Sequence, residues 1–261
     1  MERNICMFAY VEDKAFLKRA QNCCSDLMHE LEDELREDGI NSQFFLVGSG
    51  ARNMVTQNGD EAIDFDYNLN IISCEDFHDC KSIKHDVIVA FNRVMRRNGL
   101  ADVDDSTSSI TTKKIHFRDD PDIEFSMDVC IVTLENDGNW LRLIHEKGMN
   151  SYYDRYYWNI APHSKKYLDK ARAIKSVPGW WNKVREQYLK IKNRYLTQND
   201  HDHPSFICYV EAIHNVYHQM KNKKIIYITD SPSRIFPRWA YFFLHFFVKS
   251  GPNALFFSNR W

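Results

Sequence analysis

The chain is poor in the residues that mark several large protein classes. Its seven cysteines (Cys6, Cys23, Cys24, Cys74, Cys80, Cys130 and Cys208) are odd in number, and no two are spaced as CxxC. That pattern excludes a disulfide framework and a zinc ribbon, and it points to a reducing cytoplasm. Glycine is scarce, at 9 of 261 residues, which excludes collagen-like and glycine-rich repeat architectures. Neither sign of charge is in excess: 34 Lys and Arg against 36 Asp and Glu leave a net charge of −2. A near-neutral balance disfavours a surface given over to a long nucleic acid, while leaving room for a local basic cleft. The greasiest stretch, residues 240–248, is interrupted by His245 and falls well short of the roughly 20 residues a bilayer span needs. Met1-Glu2-Arg3-Asn4 lacks the basic and apolar segments of a secretory signal. The sequence carries neither an internal repeat nor a low-complexity tract.

What is present is ordinary globular composition with many rings. Hydrophobic residues make up 44% and charged residues 27%, and 17 Phe, 13 Tyr and 6 Trp bring the aromatics to 14%. A chain of this length and composition buries a core without disulfide staples. Residues 14–37 show the helical period: Phe16, Ala20, Cys24, Leu27, Leu31 and Leu35 recur at three- and four-residue steps, and Gly39 follows as a stop. Residues 43–47 are a short apolar run with the length of a buried strand, ending at Gly48-Ser49-Gly50. Residues 63–71 alternate apolar and polar side chains, the period of a sheet. A helix is expected over 84–98, with Gly99 closing it, and strands over 114–117 and 123–132 around a turn at Arg118-Asp119-Asp120-Pro121-Asp122. Beyond about residue 138 helical signals take over: a short helix over 140–147, then helices over 163–175, 180–195 and from Pro204 onward, with an aromatic segment at 237–248. The expected organisation is an α/β part, residues 1–137, with a mixed sheet flanked by helices, followed by an α-helical part, residues 138–261.

Three features of the first part bear on chemistry. The first strand delivers Gly48 and Ser49. The next carries Asp64 and Asp66, which project from one face because residues two apart in a strand point the same way. Two such carboxylates repel each other, and desolvation adds to the cost. Asp128 sits alone in an otherwise apolar strand, Phe125-Ser126-Met127-Asp128-Val129-Cys130-Ile131. If the two strands adjoin, three carboxylates converge, and hard oxygen ligands of this kind suit Mg²⁺ or Mn²⁺. The glycine turn offers backbone N–H groups to phosphate oxygens, and Ser49 adds a hydroxyl. Phosphate ligands on one side and metal-binding carboxylates on the other describe a nucleotide–metal site.

Gly48-Ser49, then Asp64-Phe65-Asp66, then Asp128 on a later strand resembles the signature of the polymerase-β-type nucleotidyltransferase superfamily. The resemblance runs in order through residues 14–135; beyond that it extends only to the helical character of the tail. It implies that Gly48 and Ser49 contact a nucleoside triphosphate, that Asp64 and Asp66 hold the metal ions, and that Asp128 completes the metal site and helps activate an acceptor hydroxyl. The expected activity is transfer of a nucleoside monophosphate to that hydroxyl with release of pyrophosphate, a small molecule or a nucleotide being the preferred acceptor. Transfer to tRNA or protein, and a catalytically silent nucleotide-binding module of the same fold, are the alternatives. The segment 53–61 makes a longer step to the second strand than the smallest members have.

Other residues carry weaker signals. Arg52 follows the glycine turn within reach of a phosphate. Asn68 and Asn70 continue the face of Asp64 and Asp66. Arg142, Lys147, Lys165, Lys166, Lys183 and Arg185 offer cations of which one or two would grip a triphosphate tail. Tyr152-Tyr153-Asp154-Arg155-Tyr156-Tyr157-Trp158 suits either stacking on a base or packing between the two parts. His145 has the chemistry of a base but no sequence neighbour that ties it to the carboxylates. His201-Asp202-His203, just ahead of Pro204, reads as a helix-start loop.

Overall fold

The computed structural model describes residues 7–161, 165–198 and 205–222. The chain divides into two units, residues 1–217 and 218–261. Of the second, only the residues up to Asn222 that complete the last helix are described. The segments 201–203 and 237–248 singled out above lie outside the described residues.

Elements follow in the order β1 (Phe8–Tyr10), α1 (Lys14–Glu37), β2 (Asn41–Leu46), α2 (Gly48–Ala51), β3 (Thr56–Asn58), β4 (Ile63–Ser73) and α3 (Cys80–Arg97). Then come β5 (Asp104–Asp105), β6 (Ile110–Thr111), β7 (Ile115–Phe117), β8 (Asp120–Leu134), β9 (Trp140–Glu146) and β10 (Arg155–Ile160). Helices α4 (Lys165–Lys175), α5 (Trp180–Thr197) and α6 (Ser205–Asn222) close the described chain. No helix among the described residues is long and apolar enough to cross a membrane.

The main sheet runs β10-β9-β8-β4-β2 and is mixed. Its centre is the parallel pair β4 and β8, while β2, β9 and β10 join antiparallel. Along its other edge β8 takes β7, β6 and β9 in turn as antiparallel partners. The alternation along β4 sorts its two faces. Phe65, Tyr67, Leu69 and Ile71 are buried together with Phe125, Met127, Val129 and Ile131 of β8. Helices α1 and α3 cover this side through Leu27, Leu31, Val87 and Phe91, which belong to the same core. Each helix is started by an aspartate: Asp13 accepts from the Phe16 N–H and Asp79 from the Ser82 N–H, both at 2.9 Å. The opposite face of β4 carries Asp64, Asp66, Asn68 and Asn70.

Beside this sheet β1 and β3 pair in a small two-stranded one. The long step between Ser49 and Asp64 is therefore structured: it supplies β3. Helix α5 clamps the pair, with the Asn193 amide bonded to both the N–H and the C=O of Phe8 at 2.7 and 3.0 Å.

The expected helix over residues 140–147 is a strand, β9. Trp140, Leu141, Leu143 and Ile144 fit a helical stripe as well as a strand, and pairing with Val132–Leu134 on one side and with β10 on the other decides the matter. The sheet therefore continues to Ile160, and the purely helical run starts at Lys165.

Phe65 is fully buried between the helices and the carboxylate-bearing strand. Phe65→Ala is expected to cost about 3–5 kcal/mol, read as a lower urea midpoint at unchanged slope.

Candidate functional site

Register brings the carboxylates together. Asp66 lies directly opposite Asp128 on the adjoining parallel strand, and Asp64 lies opposite Ser126. Thr111 of β6 is opposite Asp128 on its other side. One row across three strands thus reads Asp66, Asp128, Thr111. The Thr111 hydroxyl donates to Asp128 Oδ1 at 2.5 Å, and the Ser126 hydroxyl donates to Asp64 Oδ1.

The glycine turn sits on this row. Val47 N–H donates to the Asp66 carbonyl at 2.8 Å. The chain then turns through Gly48 at φ +60°, and a Cβ there would stand 1.9 Å from Asp66 Oδ2. Only glycine fits on both counts. Gly48-Ser49-Gly50 is the opening of the short helix α2 rather than an open loop, and its first N–H groups have no partners within that helix. Arg52 does not point at the carboxylates. Its guanidinium donates to the Gly48 carbonyl at 2.6 Å and lies 4.5 Å from the ring centre of Tyr209 on α6, so it braces the turn against a helix.

The electrostatics are those of a crowded anionic site. Burial holds the Asp66 carboxyl above its ordinary pKa, and the charges of Asp128 and Asp64 add to this, against the lowering influence of Arg52 and Lys192. Burial likewise raises Asp128, countered by the Thr111 hydrogen bond, with Asp64 raising it further. Lys192 of α5 is a cation that its position in the sequence does not single out. It donates to Thr56 at 2.9 Å, lies over the Phe8 ring at 3.8 Å, and has its pKa lowered by burial while Asp64 and Asp66 act to raise it. A half-buried ammonium that makes no ion pair among the described residues, within electrostatic range of two aspartates, is suited to an anion arriving between them.

The other sequence candidates fall into two groups. Asn68 and Asn70 share the carboxylate face, and Arg142, on strand β9 and not on a helix, shares it too, opposite Val132 in the row of Asn70. The rest serve elsewhere. Lys147 bonds the Asp105 carbonyl, Lys183 lies over the Trp180 ring and Arg185 over the Tyr10 ring; the side chains of Lys165 and Lys166 lie outside the described residues. His145 shares the face of Leu143, away from the carboxylates, and is fixed between Asp105 at 2.7 Å and Asp154 at 3.1 Å, stacked on Tyr156. That placement rules it out as a base at Asp66 or Asp128. The run from Tyr152 to Trp158 splits between an exposed turn, with Tyr152 87% accessible, and β10, where Trp158 packs against the core and bonds the Phe77 carbonyl.

As the side chains stand, no group of three or more His, Cys, Asp or Glu among the described residues encloses a single point. The donor set nevertheless suits a hard divalent cation: two carboxylates abreast, both disfavoured as bare anions, with a third two residues along the same face.

No family model matches the sequence, and no curated protein matches it. Solved structures are similar in chain course at low identity. CdnC of E. coli MS115-1 with ATP is 14% identical, over 86% of this chain and 73% of that one, with a TM-score of 0.48. The Bradyrhizobium diazoefficiens CD-NTase CdnG in complex with GTP is 14% identical, over 77% of this chain and 66% of that one, with a TM-score of 0.49. The Elizabethkingia meningoseptica CdnE cyclic dinucleotide synthase with GTP and Apcpp is 16% identical, over 78% of each chain, with a TM-score of 0.44. The chain spans only part of each of them, about two thirds in the case of CdnG.

Two outcomes test the site. A carboxylate whose pKa is raised on folding costs stability while ionised, and the cost fades as pH falls through the raised value. Asp66→Asn is therefore expected to raise Tm by a few degrees at pH 7.5 in EDTA, with the gain shrinking as the pH is lowered; a drop in Tm at pH 7.5 contradicts the repulsion. Gly48→Ala is expected to lose about 1–2 kcal/mol from the left-handed backbone alone, and more from the Asp66 collision. In an Asp66→Ala background, chemical denaturation should give a smaller loss; equal losses in both backgrounds mean that the turn does not lean on Asp66.

Proposed function

We propose that the protein is a metal-dependent nucleotidyltransferase of the polymerase-β-type, which moves a nucleoside monophosphate from a nucleoside triphosphate to a hydroxyl acceptor and releases pyrophosphate. The observation that carries this reading is the row Asp66–Asp128 on adjoining parallel strands, with Gly48 seated on the Asp66 carboxylate where no Cβ fits. Sequence resemblance supports the same reading through residues 14–135.

In this proposal the triphosphate lies along the turn. The open N–H groups of Gly48 and Ser49 and the Ser49 hydroxyl receive phosphate oxygens, and Lys192 supplies positive charge from the α5 side. Arg52 holds the Gly48 carbonyl and so keeps the turn in shape. Asp66 and Asp128, with Asp64 released from Ser126, would hold Mg²⁺ or Mn²⁺. Such a cation, when bound, neutralises charge that develops on the phosphoryl oxygens. Asp128, oriented by Thr111, faces the acceptor hydroxyl and draws its proton as the oxygen attacks the α-phosphorus in line with the departing pyrophosphate. The carboxylates and the glycine turn fall before residue 138, and Lys192 and Tyr209 after it; the expected division of the chain is thus proposed as one between the chemistry and its anion-binding support.

A small molecule or a nucleotide is the preferred acceptor on charge balance, over tRNA or protein. A cytoplasmic setting is proposed on the cysteine pattern. The second reading, a silent nucleotide-binding module, has the same site and differs only in turnover.

With the four common nucleoside triphosphates, Mg²⁺ and a crude extract as acceptor source, pyrophosphate release is expected from the wild type, and the labelled product identifies the acceptor. Asp66→Asn and Asp128→Asn should abolish release with the circular dichroism spectrum unchanged, and Lys192→Met should raise the KM for the triphosphate about tenfold or more. Full release by either aspartate variant removes the assigned roles. Metal-dependent binding without release under any acceptor selects the silent module.

A further inference from the structure

At its far end the carboxylate face of β4 and β8 turns apolar and meets solvent. Ile72 and Leu134 follow the row of Asn70 and Val132 along the two strands, and Leu134 is opposite Trp140 of β9. Ile72 is 56% exposed and Leu134 51%. A trough of about 460 Å³ opens here, lined by Ile72, Phe77 and Leu134 and by Glu135, Asn136 and Asp137 of the turn into β9. All but Phe77 of these six are open to solvent, so the trough does not enclose a small ligand; it fits an element laid along it.

The rim is of one sign. Residues 72–79 and 133–139 carry five carboxylates, Glu75, Asp76, Asp79, Glu135 and Asp137, and no Lys or Arg. Asp76, Asp79 and Asp137 accept N–H groups of their own turns, which satisfies hydrogen bonds but leaves the charge standing. None of the five is ion-paired among the described residues.

The opposite character is found on α4 and α5. Residues 165–198 carry ten Lys and Arg against Asp169 and Glu186. On α4, Leu168, Arg172 and Lys175 follow at four- and three-residue steps and so share one face of the helix. Leu168 is 42% exposed, and Arg172 and Lys175 are exposed with it. Arg172 meets Asp169 at 2.9 Å and Lys175 lies 4.4 Å from the ring centre of Trp181, both contacts that solvent keeps weak. An exposed leucine followed by two cations is what an apolar floor with an acidic rim selects.

We propose that a second copy of this chain seats its α4 in this trough, with Leu168 against Ile72 and Leu134 and with Arg172 and Lys175 toward the rim carboxylates. Trough and helix are different surfaces of one molecule. The contact is therefore head-to-tail and continues from copy to copy into a ring or a filament. Ile72 lies six residues beyond Asp66 on β4, roughly 20 Å along the strand, so the contact is separate from the carboxylate site.

Analytical ultracentrifugation of the full chain over a range of concentrations tests this. In about 50 mM salt the weight-average mass is expected to rise with concentration to about twice the monomer value or more, and in about 500 mM salt to return to the monomer value, because salt screens exposed charges. Two variants each invert one side of the contact. Glu75→Lys with Glu135→Lys and Asp137→Lys makes the rim basic, and Arg172→Glu with Lys175→Glu makes the α4 face acidic. Each alone should stay monomeric in low salt with an unchanged circular dichroism spectrum. Their equimolar mixture should associate again, since the basic rim of one meets the acidic helix of the other; misfolding does not produce that recovery. A wild type that stays monomeric in low salt overturns the proposal without recourse to a variant. Folded variants that associate as the wild type does, or whose mixture stays monomeric, overturn it as well. A monomeric wild type that binds a labelled peptide of alternating lysine and leucine assigns the trough to a basic segment of another protein and likewise overturns self-association.

Discussion

The structure is organised around an unfavourable pair of charges. Asp66 and Asp128 stand abreast on the two central strands, both disfavoured as anions by burial, Asp66 also by the charge of Asp128 and Asp128 also by that of Asp64. A sheet does not bring two carboxylates into register for its own stability; an apolar row would serve better. The cost is borne because the reverse side of the same strands is a dense apolar layer under α1 and α3. The pair is then trimmed rather than neutralised: Thr111 orients one oxygen of Asp128, Ser126 holds Asp64, and Gly48 leaves Asp66 uncovered for want of a side chain.

The surroundings hold this arrangement from a distance. Asp105 of β5 forms ion pairs with Lys84 at 2.6 Å and with His145 at 2.7 Å, and His145 reaches Asp154 at 3.1 Å. This network lies on the helix side of the sheet and fixes the excursion from which β6 presents Thr111 to Asp128. On the other flank, β3 places Thr56 against Lys192, so the long segment between the glycine turn and the second strand provides a seat for the cation of α5. Charge is thus supplied near the carboxylates by a residue held through neutral groups, and it stays available to an incoming anion.

Local periodicity was a good guide where each element had one clear partner. Helix α1 begins and ends where its apolar stripe and Gly39 place it, and β4 follows its alternation over 63–71 and runs two residues further, to Ser73. The aspartates stood out because Asp64 and Asp66 share one face of an alternating strand and Asp128 interrupts an apolar run. Residues 140–147 were misread because four apolar side chains in five positions serve a helix and a strand alike; hydrogen bonds to Val132–Leu134 and to β10 are non-local and leave no mark in that window. Lys192 was invisible for a similar reason. Among the cations of its helix it looks like any other, and only the packing of α5 on β1 and β3 aims it at the site.

Chain order and pattern alone determined the residue types of the site, the face of the strand they occupy and the helices that back it, since these follow from periods of two and 3.6 and from charges placed where a core would reject them. Tertiary structure decided which carboxylates meet, which cation faces them, and that Asn68, Asn70 and Arg142 share one face of the sheet. Those facts depend on strand order and parallel register, and register is set by contacts between segments far apart in sequence.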